Sequence, residues 1–272
     1  MKKKAIAVLS ALAVVAGAGF ASFAVSGYSA VPDKIATESS VEFDVKKTEK
    51  YLFYDNKACT DTAIVFYGGA KVDELSYTAL LSQLAEYTDV FLIDYKMNLP
   101  ILNTGKCQEV LSEYAEQYQT ICLCGHSMGG ASMDLFASSH PDEKIRGIVF
   151  LGSYGTTNLP ENISELVYIY GENDGVINQE KLHEDIDRNK GNSRKVYTYE
   201  IQGGNHAGFG YYGAQKGDKE ATISSEEQIQ QTVSIILEIL EELKQKKSYE
   251  SEDQKPSIIT REREFGAIKR EY

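Results

Sequence analysis

Short apolar runs recur along the middle of the chain, and each is bounded by polar residues or glycine. Their β-branched and aromatic residues are typical of strands that are buried in a sheet. The sequence predicts six such strands, at residues 63–67, 90–94, 120–124, 147–151, 166–170 and 196–199.

Between these runs, apolar residues recur at the spacing of helix faces. One set is Leu80, Leu81, Leu84 and Tyr87, a second is Val110, Leu111, Tyr114 and Tyr118, and a last helix after Glu226 carries Ile229, Val233, Ile236, Leu237, Leu240 and Leu243. Strands that alternate with helices predict an α/β fold, with a mostly parallel sheet covered by helices on both faces.

The N-terminus has the pattern of an export leader. Three lysines at 2–4 precede an uncharged apolar run over residues 5–25, so we predict a leader over residues 1–30. A cleavable signal peptide has an apolar core of roughly 7–15 residues, and a membrane-spanning helix needs roughly 20. The run lies near the longer limit, so a cleaved signal peptide and a retained membrane anchor both stay open. Either places the protein outside the cytoplasm, secreted or tethered.

The remaining chain is large enough for one sizeable core, and we predict a single domain over residues 31–247 that acts as a monomer. Residues 248–272 are charged and weakly apolar, which predicts a disordered tail. The net charge of −12 argues against nucleic acid and anionic membrane surfaces as partners, because phosphate-binding proteins need a basic face.

The four cysteines give no metal pattern. Cys122 and Cys124 alternate along an apolar strand, so they point to one face and pack there as small hydrophobic residues. Cys59 and Cys107 remain as a plausible disulfide pair. No cysteine or histidine spacing fits zinc, and no glycine-rich loop ends in Lys-Ser or Lys-Thr, so we expect neither a metal nor a cofactor.

Residues 125–129 read Gly-His-Ser-Met-Gly, which fits the motif G-x-S-x-G. The motif follows the apolar run 120–124 and precedes the helix-compatible segment 131–136, so Ser127 should lie on a strand-to-helix turn. Such a turn holds the serine in a strained conformation above the edge of the sheet. The pattern predicts Ser127 as a nucleophile.

A serine nucleophile needs a base, and the base needs a carboxylate that fixes its tautomer. Chains with this elbow carry the nucleophile, the acid and the histidine in that order. Of the four histidines, His206 alone follows every predicted strand, and it lies in a glycine-rich loop. Asp174 is the favoured acid because the glycine after it permits a turn that aims a carboxylate inward, and Glu172 is the alternative.

Two backbone amides should face the oxyanion that forms during such a reaction. One is the N–H of Met128, the residue after the nucleophile. The other should follow the first predicted core strand, where small residues let the main chain approach a bound carbonyl. Gly69 is the favoured residue there, and Ala70 stays open.

Three segments together resemble the α/β-hydrolase fold-5 family, relatives of the dienelactone hydrolases. They are residues 66–73, residues 125–130, and residues 203–210 with Gly217-Asp218, and the resemblance spans about residues 48–243. It implies an α/β-hydrolase fold without a large lid domain, with Ser127, Asp174 and His206 as nucleophile, acid and base. Dienelactone hydrolases proper carry a cysteine at the elbow, so Ser127 speaks against that lactone as the substrate. The family's oxyanion loop usually reads Pro-Gly-Gly, where this chain has Gly-Gly-Ala.

The sequence therefore predicts an exported serine hydrolase that acts on small-molecule esters, thioesters or lactones. Two alternatives stay open. One is a serine peptidase, which would need a specificity pocket, and the other is a non-catalytic binding module on the same fold.

Overall fold

The computed structural model describes residues 27–34, 43–57, 61–95, 98–102, 104–191, 193–251 and 266–272. Their strands form one nine-stranded sheet in the order β1-β2-β4-β3-β5-β6-β7-β8-β9. The strands are β1 (Phe43–Lys47), β2 (Tyr51–Asn56), β3 (Thr62–Tyr67), β4 (Asp89–Ile93), β5 (Thr120–His126), β6 (Ile145–Leu151), β7 (Glu165–Gly171), β8 (Lys195–Ile201) and β9 (Ala267–Glu271).

Strands β3 to β8 run parallel, and they coincide with the six predicted strands to within a few residues at each end. Their residues are almost all buried, because helices cover the sheet on both sides. The sequence analysis did not single out β1, β2 or β9. These three strands pair antiparallel at the two edges of the sheet.

Helices cover both faces of the sheet, as predicted. They are α1 (Thr78–Ala85), α2 (Cys107–Tyr114), α3 (Met128–Ser139), α4 (Gln179–Asn189) and α5 (Ser225–Ser251). One core cluster holds the apolar residues of α1 and α5, and the other holds those of α2, α3 and α4. The α/β fold is therefore confirmed, and no separate lid domain occurs in the part of the chain that the structure describes.

The cysteines confirm one prediction and bear on a pairing that the sequence left open. Cys122 and Cys124 are free and buried in the same core cluster, as their alternation predicts. Burial raises the pKa of the Cys122 thiol to about 12. Cys107 is also a free, buried thiol, which speaks against the disulfide with Cys59 that the sequence left open. Cys59 itself lies outside the described residues.

The C-terminal segment departs from the predicted disordered tail. Helix α5 continues to Ser251, and residues 267–271 form β9 along the outer edge of β8. Most residues of β9 are exposed, and the strand pairs with β8 through the backbone. The ammonium of Lys269 lies 2.6 Å from a carboxylate oxygen of Glu238 and 4.6 Å from the ring centroid of Tyr197. A prediction based on apolar content could not detect such a strand.

The predicted leader run over residues 5–25 lies outside the described residues. The backbone of Tyr28 donates to the Lys71 carbonyl (2.7 Å) and accepts from the Asp73 amide (2.9 Å), so the chain already contacts the domain before the predicted boundary at residue 30. Among the residues that the structure describes, no helix is long and apolar enough to cross a membrane.

Candidate active site

Ser127 occupies the turn between β5 and α3, at the carboxyl end of the sheet. Its backbone has φ 53° and ψ −126°, a conformation that costs a non-glycine residue free energy. The turn follows from the close crossing of the buried strand and the helix that starts at Met128. Ser127 is half-buried, and Met128 beside it is 37% exposed, so the turn opens to solvent.

The glycines on either side of Ser127 allow this crossing. A Cβ atom at Gly129 would overlap the carbonyl oxygens of Tyr67 and Gly68 at the end of β3. One at Gly125 would lie 2.7 Å from the Cα of Gly130 in the first turn of α3. Side chains at the flanking positions would therefore collide with a neighbouring strand or helix, as the sequence analysis expected.

Asp174 and His206 meet across the loops that follow β7 and β8. Oδ2 of Asp174 lies 2.8 Å from Nδ1 of His206, and both side chains are almost completely buried. Oδ1 of Asp174 accepts from the amides of Val176 (2.9 Å) and Ile177 (2.8 Å), which fixes the carboxylate. An ionised carboxylate only accepts hydrogen bonds, so Nδ1 of His206 carries the hydrogen.

The other ring nitrogen of His206 is free to accept a proton. In the neutral ring with hydrogen on Nδ1, Nε2 has a lone pair. This Nε2 is buried and makes no hydrogen bond to any of the residues that the structure describes. In this tautomer, Nε2 of His206 is chemically able to act as a base.

The end of β6 connects Ser127 with this pair. The Leu151 carbonyl accepts from the Ser127 amide (3.0 Å), and the Ser153 hydroxyl donates to the Ser127 carbonyl (2.6 Å). Between them, a Cβ atom at Gly152 would lie 2.9 Å from Nδ1 of His206. Three consecutive residues therefore touch the elbow on one side and the buried pair on the other, which brings the elements of the site together.

Glu172, the alternative acid, has a different contact. Its side chain is exposed, and Oε2 accepts from the Gly203 amide at 2.9 Å. Glu172 therefore ties the turn after β7 to the loop that carries His206. Of the two candidate carboxylates, the structure brings Asp174 to the histidine.

The Gly69 amide, which the sequence favoured as the second oxyanion donor, has another partner in the structure. The Gly69 amide donates to the Tyr77 hydroxyl at 2.8 Å, so it is already engaged. The amides of Ala70 and Met128 have no hydrogen-bond acceptor within the described chain. Of the two residues left open by the sequence, Ala70 therefore has the available N–H.

His126 is a buried site residue that the sequence analysis set aside. Nδ1 of its ring lies 2.8 Å from the Tyr77 hydroxyl, and Nε2 lies 3.1 Å from the His206 carbonyl oxygen. Burial lowers the pKa of His126 well below its usual value, so the ring is neutral. The strand pattern contained a signal for this position. Alternation from Cys122 and Cys124 places His126 on the same buried face.

Two buried carboxylates hold the loop after Ser153. Asp134 on α3 accepts from the Thr156 amide (2.8 Å), and Asp185 on α4 accepts from the Gly155 amide (2.5 Å). Burial raises the pKa of Asp185 to about 6, against the opposing effects of the Gly155 amide and Arg188.

Among the described residues, no group of three or more His, Cys, Asp or Glu side chains is arranged to hold a metal ion.

Comparison with known proteins adds one positive finding. The model of the alpha/beta hydrolase family matches residues 63–230, a range that contains Ser127, Asp174 and His206. No curated protein matches the chain. The resemblance seen in the sequence is thereby confirmed at the level of the family.

The strain at Ser127 predicts an unusual order of stability for two variants. The positive φ costs roughly 1–3 kcal/mol in a non-glycine residue. Glycine removes that cost and adds roughly 0.4–1 kcal/mol of unfolded-state entropy. The free energy of unfolding in urea should therefore be about 1 kcal/mol higher for Ser127→Gly than for Ser127→Ala.

The matched control lies in α3, where Ser138 has ordinary helical surroundings. There the order should reverse, with Ser138→Gly less stable than Ser138→Ala by up to about 1 kcal/mol. Equal stabilities of the two Ser127 variants, or a more stable alanine variant, would contradict the strained elbow.

Proposed function

Because the chain belongs to the alpha/beta hydrolase family, we propose that it is a serine hydrolase with Ser127 as nucleophile, His206 as base and Asp174 as acid. One observation carries the proposal. The buried imidazole of His206 is fixed by Asp174 through Nδ1, and its Nε2 has no other partner in the described chain. A buried polar atom without a partner is costly, and a catalytic role for Nε2 explains why that cost is kept here.

The proposed reaction is acyl transfer. His206 Nε2 takes the proton of the Ser127 hydroxyl as the oxygen attacks a carbonyl carbon. The N–H groups of Met128 and Ala70 hold the tetrahedral oxyanion. The protonated His206 then gives its proton to the leaving group, and a water activated in the same way releases the acyl group from Ser127. Asp174 keeps the imidazole in the required tautomer and stabilises its positive charge.

The proposed substrates are small compounds with an ester-type bond, namely esters, thioesters or lactones. The exposed Met128 beside a half-buried Ser127 supports an open site that admits a small acyl compound directly. A serine peptidase and a non-catalytic binding module remain as outcomes that the experiments below separate.

The first test compares Ser127→Ala with Ser138→Ala, which changes a serine on helix α3 away from the turn. We expect Ser127→Ala to abolish hydrolysis of p-nitrophenyl acetate and labelling by a fluorophosphonate probe, because both need the activated hydroxyl. Ser138→Ala should keep both. Retained turnover in Ser127→Ala would reject this nucleophile. Wild-type protein that neither turns over nor reacts would indicate the binding module, and cleavage of peptides in preference to esters would indicate the peptidase.

The acid is tested by the variants Asp174→Asn and Glu172→Gln. Asp174→Asn should lower kcat by about 10⁴-fold, because an amide favours the wrong tautomer of the histidine. Glu172→Gln should change kcat little, since the amide oxygen can still accept from the Gly203 N–H. The measurement is steady-state kinetics on the same ester. The reverse order of effects would make Glu172 the acid.

We also propose that the protein is exported through its N-terminal run, residues 5–25. If the run is cleaved, the mature chain should begin before Tyr28, because Tyr28 pairs with the domain. If it is kept, the domain should be found tethered in the membrane fraction, outside the cytoplasm. Fractionation of the producing cells with N-terminal sequencing distinguishes the two cases. Active, full-length protein in the cytosol would contradict both.

A further inference from the structure

A buried chain of hydrogen bonds joins two loops of the proposed active site. The Gly69 N–H donates to the Tyr77 hydroxyl (2.8 Å), which lies 2.8 Å from Nδ1 of His126. Nε2 of His126 lies 3.1 Å from the carbonyl oxygen of His206. These three hydrogen bonds, called the relay below, connect the loop after β3 through Tyr77 and His126 to the backbone of the residue proposed as the base.

Only one placement of the hydrogens satisfies all three bonds when the imidazole is neutral. The His206 carbonyl can only accept, so Nε2 of His126 must carry its hydrogen. Nδ1 then has a lone pair, and the Tyr77 hydroxyl must donate to it. The same hydroxyl oxygen accepts from the Gly69 N–H, which can only donate. The relay therefore has a fixed direction and no unused hydrogen.

Both side chains of the relay are inaccessible to solvent. Burial lowers the pKa of His126 well below its usual value and raises that of Tyr77 well above its usual value. Charge repulsion from the His206 ring lowers the pKa of His126 further, and the hydrogen bond to the His206 backbone opposes these effects. Neither group ionises near neutral pH, so the relay works as a rigid support and does not transfer charge.

Packing leaves little space for movement around these bonds. The ring centroid of His126 lies 4.8 Å from that of His206 and 5.5 Å from that of Phe209. A Cβ atom at Gly69 would come within 2.9 Å of Nδ1 of His126 and 3.0 Å of the Tyr77 hydroxyl. The loop after β3 is therefore pressed directly against the relay.

We propose that Tyr77 and His126 are positioning residues. They hold the loop after β3, which carries the Ala70 amide, and the loop that carries His206 in a fixed relative position. The inference rests on the acyl-transfer function proposed above. The bond to the Gly69 amide sets the orientation of the loop in which the Ala70 amide is left free. The bond to the His206 carbonyl fixes the backbone from which the imidazole projects.

The variant Tyr77→Phe removes the hydroxyl and keeps the ring. We expect kcat to fall by up to about 100-fold, the size of effect that small misplacements in an active site produce. KM and the pH dependence of kcat should change little, because the relay neither binds the ground-state substrate nor titrates. His126→Phe should have a similar effect, and the double variant should be no worse than either single variant.

Tyr212→Phe is the matched control. Tyr212 is also buried, its hydroxyl bonds to Gln215 at 3.1 Å, and its ring lies 6.2 Å from that of His126. This variant should lose some thermal stability and keep kcat. If Tyr77→Phe keeps the same kcat as Tyr212→Phe, or if the effects of Tyr77→Phe and His126→Phe add up, the positioning role is wrong.

A measurement without any substrate separates failure of this inference from failure of the proposed function. Nitrogen NMR of the full chain with labelled histidine at neutral pH should show His126 as the neutral tautomer with hydrogen on Nε2. Tyr77→Phe should change that signature. A charged His126, or hydrogen on Nδ1, would overturn the relay even if the enzyme is active. Absent esterase activity with the expected tautomer would reject the function and keep the relay.

Discussion

The crossing of β5 and α3 at Ser127 is the constraint on which the rest of the site depends. The chain must change from a buried strand to a helix within one residue, and it does so with a positive φ at a serine. The crossing is close enough that Gly125 and Gly129 allow no side chain. The turn places Ser127 and the first N–H groups of α3 at the edge of the sheet. Negative charge that develops at the N-terminus of a helix is stabilised there.

Around this turn, the polar groups of the interior are used to fix loops. Asp174 accepts three hydrogen bonds, two from its own turn and one from His206. Asp134 and Asp185 hold the loop after Ser153. A buried carboxylate without hydrogen-bond partners would cost free energy, whereas one with all its partners holds them in place. The loops at this edge of the sheet therefore have defined positions. Rigid placement of the reacting groups is what the proposed acyl transfer requires.

The sequence predicted the parts of the structure that depend on local pattern. The parallel strands are continuous apolar runs, and the elbow motif and chain order pointed to Ser127, Asp174 and His206. The sequence did not predict strand β9, because this strand is charged and pairs through backbone hydrogen bonds that composition does not reveal. It did not predict the hydrogen bond of the Gly69 amide for a related reason. It depends on the tertiary position of Tyr77, whose hydroxyl no local pattern places at that amide.

The proposed mechanism requires Ser127 to carry the acyl group during turnover. Rapid quenching of the wild-type protein during hydrolysis of p-nitrophenyl acetate, followed by mass spectrometry of its peptides, tests this requirement. We expect an acetyl group on the peptide that contains Ser127, accumulating in the first turnover and lost as the substrate is consumed. Turnover without any acetylated intermediate, or an acetyl group on a different residue that is made and lost at the rate of turnover, would contradict it.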